Sequence, residues 1–511
     1  MAVLVFPPNM VLPAKAAALR LGNERLMEEY HHLIAGKKVG LVTNQSGVNT
    51  RGESTIDVLV RDASVRLVAL YGPEHGIDGT AKAGEYVESW VHPTLDIPVY
   101  SLYGPTRMPT AEMLRDIDVL LFDIQDIGAR TYTYMSTLNY CMVAAEKHNK
   151  PIVILDRPNP VGGVIVEGPV LEEPFKSFVG VDNLPMAHGM TAGELGLFFN
   201  RRIGADLTVV PMEGWTRDMI YQDTGLPWVQ TSPNIPDLEA VFGYMATGLG
   251  EGTGILQADK FRWIGGTGVD ARKFADLLNQ AGLPGVTFIP ETRDAAGGVR
   301  LNIVDYRTFN PARTGIYALA YARTLNGFKV PKSSGQNIVM FDKIMGTDKI
   351  GQYLEQGLSP AEIEARYAPA LNRFKAEREK YLIYGYEPGK PYTPGAIQVL
   401  VDGRPVAFDV APYIDANSRV MVPLRAIVEA LGAQVDWDAG TKRITITGAG
   451  KKSLFTVGST TAVFNGTTVT LDTCPVIKNG RTMVPARFTA ESVGARVLWD
   501  GGTRTVTIVR P

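Results

Sequence analysis

At 511 residues the chain is too long for one core, since domains commonly hold about 100–200 residues, so about three packing units are expected. Hydrophobic residues at 45% and charged residues at 20% fit a soluble globular protein and exclude a disordered or collagen-like one. A formal net charge of −2 gives no electrostatic reason to expect nucleic acid as partner, and no run of eighteen apolar residues offers a transmembrane segment.

Residues 1–18, MAVLVFPPNMVLPAKAAA, read as a leader or signal remnant: apolar, ending in small residues, but without a positive start and interrupted by Pro7-Pro8. Over 19–177, four apolar runs (VGLVTN, RLVALYG, DVLLFDIQD and PIVILDRPN) alternate with helical patterns at 54–61, 111–115 and 134–148. This is α/β, a Rossmann-like doubly wound sheet. Residues 178–386 read as a second, α+β subdomain closing a cleft, with helices at 271–281 and 313–325 and strands at 286–289 and 299–303. Its strand order is open. Thr191 and Glu194 have the spacing of a capping box, which outweighs a catalytic reading.

Residues 387–395, EPGKPYTPG, form a Pro/Gly linker. Beyond it, over 396–511, Arg419-Val-Met-Val-Pro-Leu-Arg425 recurs as Arg481-Thr-Met-Val-Pro-Ala-Arg487, and Trp437-Asp as Trp499-Asp, at one spacing of 62 residues. That is an internal duplication, a small strand-rich domain with a short helix in each copy. The only cysteines, Cys141 and Cys474, fall in different domains, so neither a disulfide framework nor a thiolate metal site is indicated.

In doubly wound sheets, ligands bind beyond the carboxyl ends of the strands. Four successive strand ends here carry polar residues: Asn44-Gln45-Ser46; Glu74-His75; Gln125-Asp126 with Arg130 and Tyr132; and Asp156-Arg157 with Asn159. No GxGxxG follows the first strand and no P-loop occurs, so dinucleotide and nucleotide-phosphate binding lose their main support. Carboxylates, amides, an arginine and tyrosines suit a hydroxyl-rich sugar. Glu74, directly after a buried strand, is the first choice as proton donor for glycoside cleavage. Glu167 leads narrowly as the second catalytic group, ahead of Asp126, Glu85 and Glu251.

The strings KKVGLVTNQSGV, LVALYGPEHGIDG, AGEYVES, PVYSLYGPTRMPT, FDIQDIGARTYTY, LDRPNPVGG, VEGPVLE and HGMTAGELG occur in order. Over about 21–384 they resemble the exo-β-N-acetylmuramidase family, once known only as a conserved domain of unknown function. The resemblance implies a cleft between two subdomains and release of terminal N-acetylmuramic acid from the non-reducing ends of peptidoglycan. It also brings in His75 and His188, and it departs from the family's pattern around Glu251. The 396–511 region resembles the copper amine oxidase N-terminal-like stalk domain, through VPLRAIVEALGAQVDWD and VPARFTAESVGARVLWD. No histidine follows His188, so that resemblance carries no expectation of copper.

The expected site therefore joins Glu74, Glu167 and Asp126 as catalytic groups with Asn44, Gln45, His75, Glu85, Gln125, Arg130, Tyr132, Arg157, Asn159, His188 and Glu251 as sugar contacts. Arg130 is the expected partner of the lactyl carboxylate, with Arg157 in reserve. No cofactor or metal is expected. The expected partners are peptidoglycan sugars, with the wall held through the C-terminal domain, and the expected location is extracellular or wall-associated. Two other readings stay open: a metal-dependent hydrolase using Glu74, His75, His188 and an aspartate as ligands, and a wall protein that binds sugars without turnover.

Overall fold

The structure is a computed structural model that describes residues 19–386, 396–402, 404–448, 450–500 and 504–510; the expected leader and linker lie outside these. Seven strands, β1 (Lys38–Thr43), β2 (Arg66–Gly72), β3 (Trp90–Val91), β4 (Pro98–Ser101), β5 (Val119–Asp123), β6 (Ile152–Leu155) and β7 (Leu207–Val210), form one sheet ordered β3-β4-β2-β1-β5-β6-β7. Every neighbouring pair is parallel except β3 with β4. Leaving β3 aside, this is Rossmann order, and the chain reverses its direction of growth between β1 and β5, where such sheets bind ligands. The seventh strand lies beyond residue 177, so the sheet draws on the segment that sequence assigned to the second subdomain.

Alternation explains why these runs are apolar throughout. Val39, Leu41, Val119, Leu121, Val153 and Leu155 enter one core with Leu26 and Leu59, while Val42, Leu120, Phe122, Ile152 and Ile154 enter another on the opposite face. Leu26 belongs to α1 (Gly22–Glu28) and Leu59 to α2 (Thr55–Arg61), which Ser54 caps. The opposite face carries α4 (Tyr134–Lys147) and α5 (Ala192–Ile203), after the short α3 (Ala111–Leu114). Thr191 and Glu194 do form the capping box, and the Thr191 hydroxyl also donates to Asp156 at 2.7 Å.

The second subdomain holds a small antiparallel sheet, β10-β11-β9-β8, built from β8 (Leu256–Ala258), β9 (Trp263–Thr267), β10 (Val286–Arg293) and β11 (Ala296–Ile303). Around it pack α6 (Leu238–Thr247), α7 (Ala271–Gln280) and α8 (Pro311–Asn326), followed by α9 (Met340–Met345), α10 (Lys349–Glu355) and α11 (Pro360–Arg378). A single apolar core runs from Val42 to Leu382 through both subdomains. They therefore pack as one body.

The C-terminal region has its own core, Ile397 to Ile508, and three antiparallel or mixed sheets. Strands Val420–Pro423 and Arg481–Pro485, the same segment in each copy, pair antiparallel with Val422 opposite Val484, Met421 opposite Pro485 and Pro423 opposite Met483. Duplicated strands that pair about their own midpoint generate a local two-fold. The repeat seen in sequence is thus a symmetric unit rather than two beads.

Candidate active site

Parallel strands end on one edge, so the loops after β1, β2, β4, β5 and β6 converge there. A buried polar lattice fixes them. Arg157 donates to Asp123 at 2.5 Å and to the Val48 carbonyl at 2.8 Å, while Thr55 donates to the other Asp123 oxygen at 2.6 Å. Ser46 accepts from the Gln125 amide at 3.0 Å, tying the loops on either side of the β1/β5 reversal. Gln125 itself donates to the Asp126 and Pro158 carbonyls, at 2.9 and 2.7 Å. Gly128 is required where it stands: its φ is +82°, and a Cβ there would meet Asn159 Oδ1 at 2.4 Å. Asn159 spends its amide on the Met190 carbonyl at 2.9 Å.

Glu74 stands on this edge, 8% exposed. One carboxylate oxygen accepts from the Gly84 amide at 2.9 Å and the other from the Thr133 hydroxyl at 2.5 Å. His75 adopts φ +73°, a left-handed conformation that costs a non-glycine residue roughly 1–3 kcal/mol. Its Nδ1 donates to the Ala81 carbonyl at 2.7 Å, which fixes the ring's orientation.

Beside Glu74 lies an aromatic wall: Tyr132 against Tyr134 at 4.8 Å, Tyr132 against Tyr244 at 5.9 Å, and His75 edge-on to Tyr134 at 6.5 Å. Tyr132 donates to Thr231 Oγ1 at 2.8 Å and Tyr134 to the Thr231 carbonyl, so a segment of the second subdomain closes onto the sheet edge. Burial pushes the Tyr244 phenol up to about 12. Gln45 reaches the same segment, donating to the Gln230 carbonyl at 2.7 Å.

Asp126 accepts from the Gly128 amide at 2.9 Å through Oδ2, and His188 Nε2 approaches that oxygen at 3.4 Å. Asp126 Oδ1, His188 Nε2 and Gln45 Oε1 are buried without a hydrogen-bond partner in the protein. Open acceptors and donors gathered on one strand edge suit a ligand's hydroxyls or amide.

Other expected contacts are placed differently. Arg130 is buried and donates to the Lys343 and Ile344 carbonyls, at 3.3 and 2.7 Å, at the end of α9; burial pulls its pKa down to about 10. It pairs with neither Asp123 nor Asp126. Arg157 is committed to Asp123. Glu167 is held by a bridge between its own backbone and Ala187, and its carboxylate accepts from Gly168 N at 2.8 Å and Asn310 Nδ2 at 3.4 Å. Burial raises its pKa, and no contact among the described residues joins it to Glu74. Glu85 and Glu251 are exposed, and Glu85 accepts from the Lys82 amide.

Sequence reading missed Thr133, Thr231 and Tyr244. Thr133 sat unremarked next to Tyr132, inside the string FDIQDIGARTYTY. Nothing local marks the other two, whose role arises only when the second subdomain folds over the sheet.

Three family models match the chain: exo-beta-N-acetylmuramidase NamZ, N-terminal, over 39–239; its C-terminal counterpart over 242–384; and the copper amine oxidase N-terminal domain over 400–508. The peptidoglycan beta-N-acetylmuramidase NamZ of Bacillus subtilis (strain 168) is 42% identical over 393 residues, covering 74% of this chain and 94% of that protein. Two solved structures of DUF1343 family proteins from Bacteroides fragilis NCTC 9343 match at TM-scores of 0.65 and 0.54, with 36% and 26% identity. Each alignment covers 72% of this chain and 99% of the other. With both halves of the family matched in order and the strand-end residues gathered on one edge, this chain belongs to the NamZ exo-β-N-acetylmuramidase family.

Proposed function

We infer that this chain is a glycoside hydrolase, an exo-acting β-N-acetylmuramidase that releases terminal N-acetylmuramic acid from the non-reducing ends of peptidoglycan fragments during wall turnover. The observation that carries the site assignment is Glu74, held by Thr133 and Gly84 beside an aromatic wall at the strand edge. Glycosidic cleavage needs a proton for the leaving oxygen and a second group for the oxocarbenium-like centre. Glu74 supplies the proton. Asp126, with one oxygen uncommitted, suits the second role better than Glu167, whose carboxylate turns toward Asn310. An uncommitted carboxylate oxygen can accept the N–H of the substrate's acetamido group, orienting it for attack on its own anomeric carbon.

The same reading places the enzyme outside the cell, with the duplicated domain holding it to the wall. That domain carries a groove of about 590 Å³ bordered by Trp437, Arg425, Glu429, Ile477 and the Arg481–Asp409 pair. Trp437 remains 42% exposed. Arg425 makes no ion pair among the described residues, while its duplicate Arg487 is paired with Asp472 at 3.2 Å. An aromatic face beside a free cation suits an acidic sugar polymer. No described helix is long and apolar enough to cross a membrane.

The test is product analysis on the muramyl-glucosamine disaccharide and on longer peptidoglycan glycans. Free N-acetylmuramic acid from the non-reducing end, without internal fragments and unaffected by a chelator, is expected. Binding without turnover would replace the hydrolase with a sugar-binding protein, and loss of turnover on chelation would replace it with a metal-dependent enzyme.

A further inference from the structure

N-acetylmuramic acid differs from N-acetylglucosamine by a lactyl ether ending in a carboxylate, and the arginine expected to read that group, Arg130, is buried with both terminal nitrogens turned to the carbonyls at the end of α9. A different arginine stands free on the same edge. Strands β2 and β4 are paired with Gly72 opposite Ser101, so Glu74 and Tyr103 each lie two residues beyond paired strand ends on neighbouring loops. Arg107 follows in the β4 loop. Its guanidinium carbon sits 4.8 Å from the Tyr103 ring centre and 4.4 Å from that of Phe178.

Those rings are themselves fixed: Phe178 packs against Tyr103 at 5.8 Å and Tyr140 at 5.5 Å. The backbone on either side of Arg107 is pinned as well, because Thr106 Oγ1 donates to the Met108 carbonyl at 2.6 Å and accepts from the Met108 amide at 3.1 Å. The side chain is exposed, and among the described residues it makes no hydrogen bond and no ion pair. A guanidinium stacked on rings keeps its N–H edge free, which is the edge that grips a carboxylate with two parallel bonds. Arg157, on the loop after β6, by contrast has its charge matched internally.

We propose that Arg107, lying over Tyr103 and Phe178 on the loop next to that of Glu74, is the subsite for the lactyl carboxylate and sets the preference for muramic acid over glucosamine. The proposal rests on the muramidase reading. It adds to that reading the group that selects the sugar.

The experiment compares the full-length chain and its variants on three chromogenic β-glycosides: the N-acetylmuramide, its lactyl methyl ester and the N-acetylglucosaminide. Wild type should lose about 10- to 100-fold in kcat/KM from the free acid to the ester, the range expected of a charged hydrogen-bonded contact. Arg107→Gln should lose that much on the free acid, little on the ester and little on the glucosaminide, so that it scarcely distinguishes acid from ester. Arg107→Lys should recover part of the preference. Lys82→Gln, which removes an exposed cation from the same rim, should leave the acid-to-ester ratio unchanged.

A wild type that treats acid and ester alike would overturn the subsite without any variant. So would an Arg107→Gln enzyme that discriminates as well as wild type, or one that loses equally on all three substrates. Turnover of none of the three by wild type would instead remove the muramidase reading on which the subsite stands.

Discussion

Replacing Glu74 by Gln tests the acid role with little structural disturbance. The amide keeps an oxygen for the Gly84 N–H and presents its NH₂ to Thr133, whose hydroxyl can turn from donor to acceptor, so both contacts persist. Stability should change by less than about 1 kcal/mol. What is lost is the proton. General acid catalysis contributes about 10²–10⁴-fold, or roughly 3–5 kcal/mol of barrier, so turnover of the muramyl-glucosamine disaccharide should fall by that factor. A nitrophenyl leaving group departs with little help, so the loss on the chromogenic muramide should be much smaller, with sugar binding preserved. The assay is kcat on both substrates beside a thermal melt. Equal losses on the two, in a folded variant, would show that Glu74 does something other than protonate the leaving oxygen.

Arg130→Met should remove two hydrogen bonds from the end of α9 and cost about 2–4 kcal/mol in denaturant unfolding, lowering activity on muramide and glucosaminide alike. Selective loss on the muramide would return Arg130 to the substrate. Burial raises the Asp156 carboxyl to about 6, above its ordinary 3.8, so its contribution is full below about pH 4 and is lost as pH rises through about 6. Asp156→Asn should flatten that decline in a series of melts between pH 4 and 7; an unchanged slope would assign the decline elsewhere. A chain ending at Tyr386 should keep activity on soluble substrate and lose retention on isolated walls, and Trp437→Ala in the full chain should weaken retention while Trp499→Ala does less. Undiminished sedimentation of the truncated chain with walls would locate wall binding in the catalytic half.

The sheet was legible because strands buried on both faces leave long apolar runs, and because their polar ends fall together once the runs are parallel. Glu74, Asp126 and Gln125 could be named on that ground alone. The arginines could not be sorted. Arg130 and Arg157 look equivalent in sequence, each a few residues past a strand, yet one ends on carbonyls at 343 and 344 and the other on Asp123. Such partners are set by how distant helices dock, which no local periodicity records. The surroundings of Glu167 were equally out of reach, since its backbone bridges to Ala187, twenty residues on, and its carboxylate accepts from Asn310. Tyr103 and Arg107 stood inside a recognised string, PVYSLYGPTRMPT, but only the β2–β4 register shows that they flank Glu74.

The disposition of charge explains why the site is built on loops yet is not soft. Buried ion pairs add little net stability, because desolvation offsets most of their attraction, but removing one partner is costly and so the geometry resists change. Here Arg157–Asp123 and Arg217–Glu194 are both fully or nearly buried, and each ties a strand-end loop to a neighbour. Catalytic groups must be held to fractions of an ångström, and small misplacements far from the chemistry are expensive in rate. Spending arginines inside the scaffold therefore fixes the loops that carry Gln125 and Asp126. The exposed arginine at the rim is left free for the substrate. One residue type thus does two jobs on one sheet edge, and burial decides which.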